Sequence, residues 1–166
     1  SSSPKAVKSM GDSHAQSELT IPQLFDLTGQ VTLVTGGCGL LGKAMCRALA
    51  EAGASVVVTS RDASRAQTLA ETLPRTGSAR HFGIALDHMN PDSLPASFQE
   101  AVSLAGAVDV LVNNGHEALG ADWSTVTAEE FSRHLGNATG YFVLSKLLRD
   151  HAVERGASAS VILLGS

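Results

Sequence analysis

From Val31 onward, short apolar runs alternate with stretches whose apolar residues recur every three or four positions. "VTLVT" (31–35), "SVVVTS" (55–60), "HFGIAL" (81–86), "VDVLVNN" (108–114) and "SVILLG" (160–165) are continuously apolar or β-branched, which predicts buried strands. Gly83 weakens the third of them. Between them, helical spacing predicts helices over 40–52 (Leu40, Leu41, Ala44, Met45, Ala48 and Leu49 inward) and over 62–73 (Ala63, Ala66, Leu69 and Ala70 inward). A third is predicted over 91–105 with Pro91 in its first turn, and a fourth runs from a Thr127–Glu130 capping box to about Glu154. Gly53 and Pro74 close the first two helices. Strand and helix thus alternate five times, and strands apolar on both faces imply an α/β fold with a doubly wound parallel sheet. Residues 1–20 read as a flexible N-terminal arm and 21–166 as one domain, with no internal repeat.

Composition changes this picture little. Of 166 residues, 43% are hydrophobic and 17% charged, ordinary for a globular domain. The net charge of −4 gives no electrostatic reason to expect nucleic acid or an anionic membrane. No apolar run approaches a membrane span, and the serine-rich start lacks the apolar core of a signal peptide. Cys38 and Cys46 match no zinc spacing; two thiols in such a chain fit a reducing compartment, and a cytoplasmic location is expected.

Candidate chemistry sits where the first strand ends, in "TGGCGLLG" (35–42). Ligands of doubly wound sheets bind beyond the carboxyl ends of the strands, at the switch point. Gly36, Gly39 and Gly42 lie three apart between a strand and an amphipathic helix, the context in which bare backbone admits a pyrophosphate onto a helix N-terminus. The blander reading, a glycine-rich turn, ranks below nucleotide binding. Cys38 within the loop reads as a small filler.

These ordered features resemble the short-chain dehydrogenase/reductase family over residues 26–166. "LTGQVTLVTGGCGLLGKAM" resembles its opening strand and cofactor loop, in the TGxxGxxG spacing rather than the commoner TGxxxGxG. The resemblance implies an NAD(P)-binding Rossmann domain, incomplete here, with Gly36, Cys38, Gly39, Leu41 and Gly42 at the cofactor. "LD" (86–87) resembles the family's acidic position, which implies that Asp87 meets the adenine with His88 beside it. "VDVLVNN" resembles the strand before the NNAG motif, bringing Asn113 and Gly115 to the cofactor; His116 stands where the motif has its final Gly. "HLGNATGYFVLSKLL" resembles the helix that carries the active-site Asn, here Asn137, which would hold a proton-relay water. "SVILLGS" resembles the strand that ends in the catalytic Ser, here Ser166, which would orient a substrate carbonyl.

At the second strand's end the sequence reads "VVVTSRD". An uncharged Ser60 followed by Arg61 suits a ribose 2′-phosphate better than a 2′-hydroxyl, so the expected cofactor is NADP, with NAD as the alternative. Asp62 reads as a helix cap. The family's Tyr-x-x-x-Lys falls beyond Ser166. The chain's one tyrosine, Tyr141, is five residues before Lys146 and reads as packing. The implied activity is hydride transfer between nicotinamide and a carbonyl or alcohol (a sugar acid, a polyol or a 3-oxoacyl compound) by a homo-oligomer when intact, the 166-residue chain alone being inactive. Two alternatives stay open: a non-catalytic nucleotide-binding or interaction module, and an epimerase or dehydratase on the same fold. Trp123 reads equally as a substrate contact or a surface anchor. No metal site is expected.

Overall fold

The computed structural model describes residues 19–120 and 122–165. Most of the expected arm (1–18), Ala121 and Ser166 lie outside the described residues. A single turn, α1 (Ile21–Leu24), leads into β1 (Val31–Val34), α2 (Leu40–Glu51), β2 (Ser55–Ser60), α3 (Ala63–Thr72), β3 (His81–Ala85), α4 (Leu94–Ala105), β4 (Val110–Asn113), α5 (Ala128–His134), α6 (Gly136–Arg155) and β5 (Ser160–Leu163). The five strands form one parallel sheet in the order β3-β2-β1-β4-β5. The chain moves outward one way from β1 through β2 to β3, then returns to β1's other side with β4. The switch point is therefore the β1/β4 boundary, where Val34 pairs with Val112.

Each face of the sheet is covered. Val31, Leu33, Val57 and Leu111 pack with Leu94, Phe98, Leu144 and Leu148 of α4 and α6. On the other face Val34, Val56, Val58 and Val112 pack with Cys46, Ala50, Ala66 and Ala70 of α2 and α3. Alternate residues of one strand thus serve both layers, which is why β1, β2 and β4 read as unbroken apolar runs. The small residues on α2 and α3 let those helices lie close to the sheet. Gly83 belongs to the same device: a Cβ there would meet the Ala66 and Gln67 backbone of α3, so the glycine permits helix contact and leaves β3 intact.

The inward face of α2 is rotated from the expected one. Gly42, Cys46 and Ala50 are buried, with Met45 and Leu49 packed against them, whereas Leu40 and Leu41 are 91% and 59% exposed. They lie at the strand-to-helix loop, beyond the sheet that would cover them. In α3, Ala66 and Ala70 are buried but Ala63 is exposed. α4 begins at Leu94, so Pro95 and not Pro91 occupies its first turn. The run expected from Thr127 to Glu154 is two helices. The capping box forms as expected, the Thr127 hydroxyl accepting from the Glu130 amide at 3.1 Å and the Glu130 carboxylate from the Thr127 amide at 2.8 Å. The break falls at Leu135 (ψ −17°), beside the His134 carbonyl, which accepts a hydrogen bond from the Asn137 side-chain amide at 2.9 Å.

Asp109 fastens the opposite end of the sheet. Its carboxylate accepts from the Val31 amide at 2.9 Å and from the Arg155 guanidinium at 2.9 Å, tying β1, β4 and the end of α6. β5 is an edge, and Val161, Ile162 and Leu163 on it are 43%, 48% and 62% exposed.

Candidate functional site

The switch point is held open by a hydroxyl and an amide. Thr35, just past β1 and fully buried, donates to the Val112 carbonyl at 3.3 Å and accepts from the Asn114 and Gly115 amides at 2.9 and 2.8 Å. Asn114 returns the contact, its Nδ2 donating to the Thr35 and Gly36 carbonyls at 3.0 and 3.2 Å. The two strand ends are locked together here, and the chain turns away on both sides.

The turn after Thr35 needs its glycines. Gly36 has φ +62°, and a Cβ on it would lie 2.7 Å from Gly115 Cα. A Cβ on Gly42 would meet the Gly36 carbonyl and stand 2.8 Å from Gly37 Cα, so only glycine lets α2 start against its own loop. The loop leaves α2 uncapped by any side chain. Its first intrahelical bond runs from the Lys43 amide to the Gly39 carbonyl at 3.0 Å. Among the described residues, the amides of Leu40, Leu41 and Gly42 donate to no carbonyl. Three free donors at the positive end of a twelve-residue helix are what an anionic group requires.

These donors face a cavity of about 610 Å³. One wall is the loop, with Gly36, Cys38, Gly39, Leu41 and Gly42; the next is the end of β2, with Ser60 and Arg61. Asp87 and His88 beyond β3, and Gly115 beyond β4, complete it. Gly36 and Gly115, 79 positions apart in the sequence, are thereby brought to one site. Asp87 makes a local turn, accepting from the Met89 amide at 3.0 Å. Asp62 is the cap expected of it: its carboxylate accepts from the Ser64 hydroxyl at 2.7 Å and from the Ser64 and Arg65 amides at 2.9 and 3.3 Å, and these hydrogen bonds, the hydroxyl's foremost, hold its carboxyl below the usual range. Cys46, behind the loop, is fully buried and its thiol is pushed up to about 12 by burial, so it stays protonated.

Two of the expected site residues do not reach the cavity. Asn113 faces the interior: its side chain is fully buried, neither amide atom has a hydrogen-bond partner among the described residues, and its neighbour Asn114 takes the place at the wall. Asn137 lies behind the β4 loop. Its Oδ1 accepts from His88 Nε2 and from the Glu117 amide, both at 2.8 Å, and its Nδ2 donates to the Glu117 and His134 carbonyls at 3.0 and 2.9 Å. All four hydrogen-bonding positions of the side chain are occupied, so the amide orients the loop. Because Oδ1 accepts, His88 Nε2 is the donor, and Nδ1 lies on the Gly115 side, where a Cβ on Gly115 would come to 3.0 Å from it.

Tyr141 does more than pack. Its hydroxyl donates to the Gly115 carbonyl at 2.7 Å, and its ring stacks on His88 with centroids 6.0 Å apart. Burial pushes the phenol's pKa up and keeps the donor in place. His116 turns its ring edge-on to His134 at 5.2 Å, and Glu117 is gripped by Arg133 at 2.6 Å, a hydrogen bond that holds its carboxyl below the usual range. Trp123 is 87% exposed and is not among the described residues that line the cavity.

The model of the short chain dehydrogenase family matches residues 30–166. The chain belongs to the short-chain dehydrogenase family. A 3-oxoacyl-[acyl-carrier-protein] reductase of Vibrio cholerae is 37% identical over 122 residues, 73% of this chain and 48% of that protein. A probable galactose dehydrogenase of Rhizobium meliloti is 33% identical over 147 residues, 86% of this chain and 57% of that protein. Among solved structures, a short-chain type dehydrogenase/reductase from Mycobacterium marinum superposes with a TM-score of 0.79 at 26% identity, over 89% of this chain and 60% of that one. A gluconate 5-dehydrogenase from Burkholderia cenocepacia, solved with NADP and tartrate, gives 0.73 at 28% identity, over 86% and 55%. The chain thus spans about half the length of these short-chain dehydrogenases. No described helix is long and apolar enough to cross a membrane, and no described group of His, Cys, Asp and Glu could hold a metal ion.

Proposed function

We propose that this chain is the nucleotide-binding front of an NADP-dependent oxidoreductase that moves hydride between nicotinamide and a carbonyl or alcohol. The observation that carries the reading is the trio of free amides at Leu40, Leu41 and Gly42, opening onto a cavity walled by Ser60, Arg61, Asp87 and Gly115. The amides would bind the pyrophosphate, Arg61 the 2′-phosphate, and Asp87 the adenine. Bound nicotinamide would supply or accept the hydride; the protein's part is to hold and orient it. Tyr141 is committed to the Gly115 carbonyl and fixes the wall rather than moving a proton. The proton step would fall to Ser166, and the 166 residues alone would bind the cofactor without turnover. Relatives named as acting on 3-oxoacyl, galactose, threitol and gluconate substrates support a sugar acid, polyol or 3-oxoacyl compound as the substrate class. We take a homo-oligomer in the cytoplasm as the working form.

Titration of the purified chain with NADPH, followed by nicotinamide fluorescence, tests this. Saturable binding is expected, with no loss of NADPH when carbonyl substrates are added. A folded chain that leaves the fluorescence unchanged at millimolar NADPH contradicts it.

A further inference from the structure

The loop between β3 and α4 lies in a glycine-lined notch of α6. A Cβ on Gly140 would meet the His88 carbonyl, and one on Gly136 would stand 2.9 Å from Met89 Cε. These glycines are one helical turn apart, on one face of α6. Their sequence neighbours Asn137 and Tyr141 close on the His88 ring. Nε2 donates to Asn137 Oδ1 at 2.8 Å, and the ring stacks on Tyr141 with centroids 6.0 Å apart. The other side of the loop faces the cavity, which Leu86, Asp87, His88 and Met89 all line.

Asn137 is reached from the cavity wall by two routes. Glu117 reaches it through its backbone amide and carbonyl, groups that any residue but proline supplies. His88 reaches it through a side chain, which ties the contact to this sequence. Oδ1 has two acceptor sites, filled by the Glu117 amide and the His88 ring, while Nδ2 is spent on the Glu117 and His134 carbonyls. Among the described residues, His88 is thus the sole hydrogen-bonded tie between the Asn137 side chain and the β3 side of the cavity. Gly115 gives the ring its room, because a Cβ there would stand 3.0 Å from Nδ1. The NNAG motif has Ala at that position, so glycine and imidazole fit each other in this chain.

We infer that His88 is a positioning residue: its ring carries occupancy of the cofactor cavity from the β3–α4 loop to the side chain of Asn137. The inference rests on the cofactor reading above, in which Asp87, one residue earlier, receives the adenine. It gives Asn137 a part in the site although its side chain does not reach the cavity. Binding that fixes Asp87 fixes the next peptide, and with it the direction of the Nε2–H that Oδ1 accepts. Coupling of this kind is reciprocal: an Asn137 released from His88 leaves the loop less fixed and the cofactor affinity lower.

The test follows the Asn137 side-chain NH2 signals of the isotope-labelled 166-residue chain by nuclear magnetic resonance as NADPH is added, in the wild type, His88→Gln and His88→Val. In the wild type, NADPH should shift the Asn137 pair. In His88→Val that shift should vanish, and NADPH affinity should fall roughly fivefold, the low end of coupling between sites. His88→Gln, whose amide can donate to Oδ1, should recover both in part. Both variants lose the imidazole and its stacking on Tyr141, so a merely structural role would move them alike. The inference is overturned if NADPH shifts the Leu40–Gly42 amides of the wild type and leaves Asn137 in place, an outcome that needs no variant to fold. It is also overturned if the shift persists in a folded His88→Val, since it then arrives through Glu117, or if His88→Gln matches His88→Val. In each of these cases the cofactor reading stands. If the folded wild type binds no NADPH, that reading falls and takes the inference with it.

Discussion

Thr35 links two strand ends through one hydroxyl that donates once and accepts twice. Thr35→Val keeps the shape, removes the acceptor for the buried Gly115 amide and one of two acceptors for the half-buried Asn114 amide, and should cost about 1–3 kcal/mol in denaturant unfolding; a loss below about 0.5 kcal/mol would show that water replaces it. His81 gives a second prediction. Its Nδ1 accepts from the Val56 amide at 3.2 Å and its Nε2 donates to the Pro74 carbonyl at 3.0 Å, so the ring is neutral, and burial holds its pKa below the ordinary value. A folded pKa below the unfolded one gives stability that is complete above about pH 6.5 and is lost as pH falls through the folded value. The melting temperature should therefore drop between pH 7.5 and 5.5 more in the wild type than in His81→Gln; equal drops would exclude His81 as a cause. Neither residue was legible in advance. Thr35 reads as the last β-branched residue of a strand, and only the β1/β4 register brings it to Asn114 and Gly115. The same register sends Asn113 inward and Asn114 to the wall, a choice that two adjacent asparagines do not reveal.

At the level of elements, the strands were readable and the helix faces less so. Continuous β-branched runs mark β1, β2 and β4 because each buries both faces, whatever the connections. The face of α2 depends on where the sheet ends: Leu40 and Leu41 have helical spacing but stand past its edge, and the small Gly42, Cys46 and Ala50 do the packing. The α5/α6 break escaped the periodicity for a similar reason, since it lies beside a side-chain hydrogen bond from Asn137 and at neither a proline nor a gap in the apolar pattern. β5 carries the third prediction. Val161, Ile162 and Leu163 are exposed on an edge strand, a template for pairing with another chain. Ile162→Lys should lower concentration-dependent self-association in analytical ultracentrifugation without shifting the melting temperature by more than a few degrees. Unchanged association would place the sticky surface elsewhere.

For the whole molecule, the topology determines the site before any side chain is considered. A sheet that grows outward from β1 in both directions has its crevice at the β1/β4 boundary, and the glycine loop, Ser60–Arg61, Asp87–His88 and Gly115 converge there because each follows a strand's carboxyl end. This part was legible in the sequence, since strand ends are marked by composition and the glycines by spacing. The supporting lattice of Asn137, Glu117, Arg133 and Tyr141 was not, because it forms between α5, α6 and the β4 loop, whose mutual placement no local pattern encodes. The central claim is that the free amides at the start of α2 receive the pyrophosphate. A nitrogen–proton correlation spectrum of the chain, titrated with NADPH, addresses it residue by residue. The amides of Leu40, Leu41 and Gly42 should shift most, followed by Ser60–Asp62 and Asp87–His88, while Val161–Leu163 on the β5 edge stay in place; a titration that moves other regions and leaves Leu40–Gly42 unshifted would contradict the account.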